Sequence, residues 1–204
     1  MIKCNVSCCA VVSRSASMKE GKNNEKFIAF SVKYPVTGRN GEKKEMEISV
    51  SMDGGKAAAA SITTGRRVNI VGTMYVKKRD GRVFFNIRAT EGVDIAKSSD
   101  ADRLEGTVDF RGKIGKNGVE VKKDKKDKDF KTFSAFSSDK NGEKVDFTWM
   151  RFLYFNPKDG EDFLKESAFI EAKGELQLGV YKDEITLDCR LSEVKPWELQ
   201  GGQQ

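Results

Sequence analysis

Aromatic side chains alternate with a cation along residues 145 to 155, VDFTWMRFLYF. The β-branched and aromatic content favours a strand, in which neighbouring residues point to opposite faces. One face would be buried: Met150, Phe152 and Tyr154. The other face combines aromatic and aliphatic side chains with one cation: Phe147, Trp149, Arg151, Leu153 and Phe155. A cation among apolar side chains is unusual for a second buried face, so this face is a candidate functional surface.

A second candidate surface is basic. Tyr75, Lys77 and Arg79 alternate onto one face of a predicted strand, and the turn in VKKRDGR adds Lys78 and Arg82. Such a hairpin could hold a phosphate backbone. The alternative is a solvated hairpin that protects the edge of a sheet.

The charge of the chain is unevenly distributed. Residues 1 to 101 carry 18 basic and 10 acidic side chains, whereas the remaining residues carry 19 basic and 21 acidic side chains. The net charge of the whole chain is +6, and its pI is near 9.0. This balance fits a polyanionic partner without specifying one. A second charged run, KKDKKDKDFK at residues 122 to 131, alternates in sign and is expected to be a mobile loop.

Several classes of chemistry are disfavoured. The chain has no histidine, which excludes Ser-His and Cys-His mechanisms, and its four cysteines, at positions 4, 8, 9 and 189, form no CxxC pair. We therefore expect no metal and no cofactor, cysteines that act as small buried hydrophobes, and a protein that is not an enzyme. No apolar run is long enough to span a membrane, and the N-terminal residues alternate as a strand rather than a signal peptide, so a cytoplasmic location is expected.

The two halves of the chain resemble each other. With a constant offset of 102 residues, Gly72 aligns with Gly174 and Arg88 with Arg190, while NGEK recurs at residues 40 and 141 with a one-residue slip. The matches keep their order along the chain, which indicates an internal repeat.

Each half is predicted to form five strands, with a short helix between the third and fourth. GGKAAAASI supplies the first helix and GEDFLKES the second. This arrangement is that of the OB-fold, so the fold class is all-β, with two tandem OB-folds. The predicted domains are residues 1–95 and 102–196, followed by a short tail at 197–204, in which Trp197 packs against the barrel. The strands lie near residues 2–13, 26–34, 45–52, 67–77 and 82–90, then 103–113, 130–138, 144–155, 168–178 and 184–192.

The second half resembles the bacterial single-stranded DNA-binding protein family. The resemblance rests on FSAFSSDKNGEKVDFTWMRFLYF and on FIEAKGELQLGVY, and covers residues 103 to 192. It implies base stacking on Trp149, Phe155 and Tyr181, with Arg151 as a phosphate or stacking contact. Phe136 is a further candidate that could equally be a core residue.

The first half departs from this pattern. At the repeat offset, the three stacking positions become Glu47, Asp53 and Arg79, so the basic half lacks the aromatics and the aromatic half lacks the charge. The resemblance also implies assembly, here as a homodimer that presents four OB-folds. The family's acidic C-terminal tail has no counterpart in PWELQGGQQ.

The function expected from the sequence is sequence-tolerant binding and protection of single-stranded DNA in replication, recombination or repair. Two alternatives stay open. The face of Trp149 could instead be a protein interface in an assembly module, or the ligand could be single-stranded RNA.

Overall fold

The computed structural model describes residues 2–21, 23–158 and 160–198, and within them the protein is almost entirely β. These residues contain no helix long and apolar enough to cross a membrane. The first half comprises β1 (Ile2–Glu20), β2 (Lys26–Thr37), β3 (Lys43–Met52), α1 (Lys56–Ser61), β4 (Arg67–Arg79) and β5 (Arg82–Ile95). The second comprises β6 (Arg103–Lys123), β7 (Asp129–Asn141), β8 (Lys144–Tyr154), β9 (Phe169–Tyr181) and β10 (Glu184–Pro196).

The first five strands pair in a closed ring, which we call ring one. β1 pairs with β2 through its second part and with β4 through its first part, and β2–β3 and β4–β5 are antiparallel. The ring is closed by a short parallel ladder between β3 and β5. Two register shifts near Arg14 allow β1 to bend between its two partners.

The last five strands repeat this arrangement in ring two. β6 pairs with β7 and β9, β7 with β8 and β9 with β10, all antiparallel, while β8 and β10 are parallel over residues 151–153 and 188–190. The two rings thus share one strand order, which is consistent with an OB-fold protein, and the all-β prediction is confirmed.

One ladder joins the rings into a single sheet. Residues 3 to 9 of β1 run antiparallel to residues 103 to 109 of β6. An ion pair between Arg67 and Asp102 lies beside this ladder. The residues between β5 and β6 thus connect two rings that are already in direct contact through this ladder.

The core follows from the alternation of each strand. On β8, Met150, Phe152 and Tyr154 are almost completely buried, as the sequence predicted. All four cysteines are buried as well, and burial raises the pKa of Cys4, Cys8 and Cys189 to about 12. These three thiols stay protonated near neutral pH, which suits a packing role.

The helix expected in ring two does not form. The alanine-rich segment gives α1 in ring one, but GEDFLKES consists of turns, with Ser167 in the left-handed region at a φ of 61°. The carboxylate of Glu161 accepts hydrogen bonds from the Tyr154 hydroxyl at 2.8 Å and the Lys158 amide at 3.1 Å. These bonds and the burial of Leu164 fasten the segment to the barrel, which local helix propensity does not capture.

Residues 122 to 131, expected to be a mobile loop, are mostly paired strand. β6 and β7 stay in register as far as Lys123 and Asp129. The connecting turn is closed by the carboxylate of Asp124, which accepts the backbone amides of Lys126 and Lys128 at 2.7 and 2.9 Å. These bonds hold the pKa of Asp124 below its usual value.

Candidate nucleic-acid interface

Trp149 is the centre of an exposed aromatic cluster on ring two. Its side chain is 50% exposed, and its cross-strand partner on β7 is Phe136, with the ring centroids 4.9 Å apart. Phe147 packs edge-on against Phe136 at 5.1 Å. Phe136 is half-buried and packs against both Phe147 and Trp149.

The indole of Trp149 lies over the backbone of Gly115 on β6. A β-carbon at Gly115 would come within 3.0 Å of the indole Cζ3. A side chain at this position would therefore crowd the indole, which would have to shift by a few tenths of an ångström. The indole thus packs against Phe136 on one side and against the backbone at Gly115 on another.

Arg151 lies two residues further along β8, opposite Asp188 on the parallel strand β10. Its Nε donates to Asp188 Oδ1 at 3.0 Å, and its Nη2 contacts Asp188 Oδ2. The carboxylate is almost buried, whereas the arginine side chain is 41% exposed. This two-point contact fixes the guanidinium plane at the surface beside Trp149.

A groove lies on each side of Trp149, and the two share Ser134, Trp149 and Arg151. The first, which we call the β6–β7 groove, has a volume of about 500 Å³. Three lysines contribute to its wall: Lys113, Lys116 and Lys122. Its surface combines aromatic side chains with cations, which is the combination that binds single-stranded nucleic acid, although Lys122 pairs with Glu120 of the same groove at 2.8 Å.

The second groove lies where the two rings meet, and we call it the junction groove. It has a volume of about 590 Å³ and is lined on the ring-two side by Phe147, Trp149 and Tyr181. Ring one contributes two cations, Arg39 and Lys78. The basic half of the chain therefore supplies charge to the aromatic half.

Specific contacts position ring one at this groove. The backbone amide of Lys78 donates to the buried hydroxyl of Thr148 at 3.1 Å, one residue before Trp149. Gly38, in the β2–β3 connection, lies against Val180, where an added β-carbon would be 3.0 Å from the carbonyl oxygen. Lys44 forms an ion pair with Asp183 at 3.1 Å.

The other two predicted stacking residues, Tyr181 and Phe155, are not part of the aromatic cluster around Trp149. Tyr181, at the end of β9, is 64% exposed and lines the junction groove. Phe155 follows the last residue of β8 and is half-buried, stacked on Phe130 at 4.9 Å with the Arg190 guanidinium 5.4 Å from its ring. Phe155 is not among the described residues that line either groove.

The predicted basic hairpin has two faces with different surroundings. Tyr75, Lys77 and Arg79 line a separate groove of about 510 Å³ with Phe84 and Asn86. Arg82 pairs with Arg79 across the hairpin. Alternation places Lys78 and its cross-strand partner Val83 on the opposite face, which lines the junction groove. The structure therefore does not bring Tyr75, Lys77 and Arg79 together with Trp149.

Several groove residues were not among the predicted site residues, among them Phe147, Lys78 and Arg39 of the junction groove. Alternation already placed Phe147 beside Trp149, so the sequence did contain its signal. Lys78 was noted only as part of a charged hairpin. Arg39 lies in a connection without periodicity, and it reaches ring two through a contact that joins residues far apart in sequence. No local pattern could have identified it.

Trp197 lies near the start of the predicted tail. Its amide donates to the Phe169 carbonyl at 3.0 Å, and its ring is edge-on to that of Phe169 at 6.0 Å. The tryptophan therefore packs against the barrel as expected. The rest of the tail, residues 199 to 204, lies outside the described residues.

Comparison with known proteins finds similarity in structure alone. No family model matches the sequence, and no curated protein matches it. The wild-type single-stranded DNA-binding protein from Thermus aquaticus aligns over 99% of this chain and 97% of its own, with a TM-score of 0.53 and 11% identity. A deletion mutant of that protein aligns over 100% and 98%, with a TM-score of 0.50 and 13% identity. At these identities the likeness shows a shared fold.

Proposed function

We propose that this protein binds single-stranded DNA with little sequence preference. The observation that carries the proposal is the position of Trp149, a half-exposed indole between two grooves that are both lined by cations. Every base has a π-face, so stacking on such a ring tolerates any sequence and contributes about 1 to 3 kcal/mol per base. The lysines and arginines would neutralise the phosphates that flank the stacked bases.

The exposure of the aromatic cluster supports this proposal. Phe147 and Trp149 are 45% and 50% exposed on one face of one strand, with Tyr181 nearby at 64%. Exposed aromatic surface of this extent usually marks a binding site. Nucleobases fit it because they are flat and apolar on their faces, while the surrounding grooves offer cations for the backbone.

The outer face of the β4–β5 hairpin is proposed as a secondary contact. Lys77, Arg79 and Arg82 are exposed there, beside Tyr75. A strand that leaves the junction groove would meet this hairpin, whose charge favours phosphates. Phe155, beside Arg190, would extend the stacking surface at the other end of β8.

The likeness to the Thermus aquaticus protein favours the same proposal, because that protein is named for binding single-stranded DNA. We further propose that residues 1–95 and 102–196 are two OB-fold domains, that two copies assemble into a homodimer, and that the protein protects single strands in replication, recombination or repair without catalysing a reaction.

The test is a titration with fluorescein-labelled oligo(dT), followed by anisotropy at low and moderate salt. Wild type should bind with a strong salt dependence, and Trp149→Ala should bind more weakly by about 1 to 3 kcal/mol. The chain has two tryptophans, so Trp197→Phe leaves Trp149 as a single fluorescent reporter. Oligo(dT) should quench the fluorescence of this variant.

Three outcomes would contradict the proposal. Absence of binding at low salt would leave the Trp149 face as a candidate protein interface. Equal binding by wild type and Trp149→Ala would show that bases do not stack on Trp149. Preferential competition by a matched RNA oligonucleotide would reassign the ligand to single-stranded RNA, because the same stacking surface can serve either polymer.

A further inference from the structure

Asp188 is an anion shared by both rings. Its carboxylate is 8% exposed and lies at the floor of the junction groove. Arg151 of ring two binds it through Nε and Nη2, and Arg39 of ring one approaches Oδ2 with its Nη2 at 3.5 Å. One carboxylate thus faces two guanidinium groups that come from opposite sides of the groove.

The two arginines are held very differently. Arg151 makes two hydrogen bonds to Asp188 from a strand whose backbone is fixed by pairing on both sides. Arg39 makes a single long contact, its side chain is 69% exposed, and it belongs to the connection between β2 and β3. A long, exposed ion pair is weak, because water and salt screen it and the side chain loses freedom to form it.

We propose that Arg39 is a phosphate contact of the nucleic-acid site, and that Asp188 is its partner only while the groove is empty. When a strand stacks on Trp149, Arg39 exchanges the carboxylate for a backbone phosphate, and Arg151 keeps its two bonds to Asp188. Ring one and ring two therefore hold the same strand at the same groove. This inference rests on the proposed binding of single-stranded DNA.

The surroundings of Arg39 favour this exchange. The backbone beside it is fixed where Gly38 lies against Val180, so the arginine is anchored at its base. The side chain itself is exposed and lines the groove with Trp149 and Tyr181. Asp188 loses little when Arg39 leaves, because Arg151 continues to neutralise it.

A matched control exists on another face of the protein. Arg111 is 63% exposed and pairs with Glu171, a carboxylate that is 19% exposed and also bound by Lys195. Like Arg39, it is an exposed arginine that shares its carboxylate with a second cation. It lines a different groove, whose described lining contains no aromatic residue. Arg39→Ala and Arg111→Ala therefore remove the same charge from side chains of similar exposure, and the Arg111 contact is the shorter one at 2.8 Å.

The experiment measures binding of labelled oligo(dT) to wild type, Arg39→Ala, Arg111→Ala and Trp149→Ala over a series of salt concentrations. Arg39→Ala should weaken binding about tenfold at low salt and reduce the slope of log K against log salt by about 0.7, the value for one phosphate contact on a single strand. Arg111→Ala should retain the wild-type slope.

Equal losses in Arg39→Ala and Arg111→Ala would overturn the inference, because total charge alone would then explain them. That result would leave the proposed function intact as long as Trp149→Ala still weakens binding. If wild type does not bind, the proposed function fails first. Circular dichroism of each variant checks that the fold is retained.

A double-mutant cycle tests the exchange itself. In the Asp188→Asn background Arg39 has no carboxylate to leave, so Arg39→Ala should cost more affinity there than in wild type. A smaller cost in that background would mean that Asp188 positions Arg39 for the strand, which contradicts the exchange. The comparison of Arg39→Ala with Arg111→Ala stands even if Asp188→Asn fails to fold.

Discussion

The backbone of Gly174 on β9 lies directly against the carbonyl group of Arg190 on β10. A β-carbon at Gly174 would be 2.2 Å from that oxygen, and Gly72 has the same relation to Arg88 in ring one. Both pairs occupy equivalent positions in the repeat. The glycines are retained at these positions of the two halves because the neighbouring strand leaves no room for a side chain.

Gly174→Ala should lower the free energy of unfolding by about 1 to 3 kcal/mol, because the clash is with backbone that cannot rotate away. Urea denaturation measures the change. Gly21→Ala is the control, since the nearest atom to its β-carbon would be at an ordinary 3.6 Å. A loss as small as that of the control would show that β9 and β10 separate easily.

Phe147→Ala should weaken binding of oligo(dT) by about 1 to 3 kcal/mol, because it removes both a stacking surface and a neighbour of Phe136. Phe169→Ala is the matched control. Phe169 is 38% exposed, compared with 45% for Phe147, but its ring contacts Trp197 and Lys113 and does not line the junction groove as Phe147 does. The anisotropy of labelled oligo(dT) measures the affinity of each variant. Equal affinities of Phe147→Ala and Phe169→Ala would show that Phe147 is not part of the binding site.

Arg151→Ala should lower the free energy of unfolding by about 1 to 3 kcal/mol, because Asp188 then retains only its long contact to Arg39. Thermal and urea denaturation would measure the loss. Arg151→Ala combined with Asp188→Ala should be less destabilised than Arg151→Ala alone, since no carboxylate is left without its main partner. The prediction fails if the double variant is the less stable one.

Tyr154 should make the protein sensitive to alkali. Burial, followed by the hydrogen bond to Glu161, raises the pKa of this tyrosine from 10.0 to about 12 in the folded state. The folded state therefore keeps a proton that the unfolded state releases, so the stabilisation is complete below about pH 10 and is lost as the pH rises to about 12. The stability advantage of wild type over Tyr154→Phe should shrink across this range in urea denaturation. A constant advantage would contradict the raised pKa.

The strands could be predicted from the sequence because each has one buried face. Alternation identified all ten and placed Met150, Phe152 and Tyr154 in the core. The internal offset then gave both halves the same strand order. GEDFLKES was misassigned because its conformation depends on the hydrogen bond between Glu161 and Tyr154 and on the burial of Leu164, which local helix propensity does not capture.

The candidate site was predicted where it lies on one strand and missed where it spans two rings. Trp149 and Arg151 followed from the alternation of β8 and from the family resemblance. The pairing of Arg151 with Asp188 required the parallel register of β8 and β10, and the approach of Arg39 required the packing of ring one against ring two. Neither relation has a local sequence signature.

The ladder between β1 and β6 has a consequence for synthesis of the chain. β1 is made before β6, and its residues 3 to 9 pair with residues 103 to 109 of β6. Until those residues leave the ribosome, one side of β1 exposes unsatisfied amide and carbonyl groups. An exposed strand edge readily pairs with a second copy. A nascent chain halted before β6 would thus leave this edge of β1 open to pairing with a second copy.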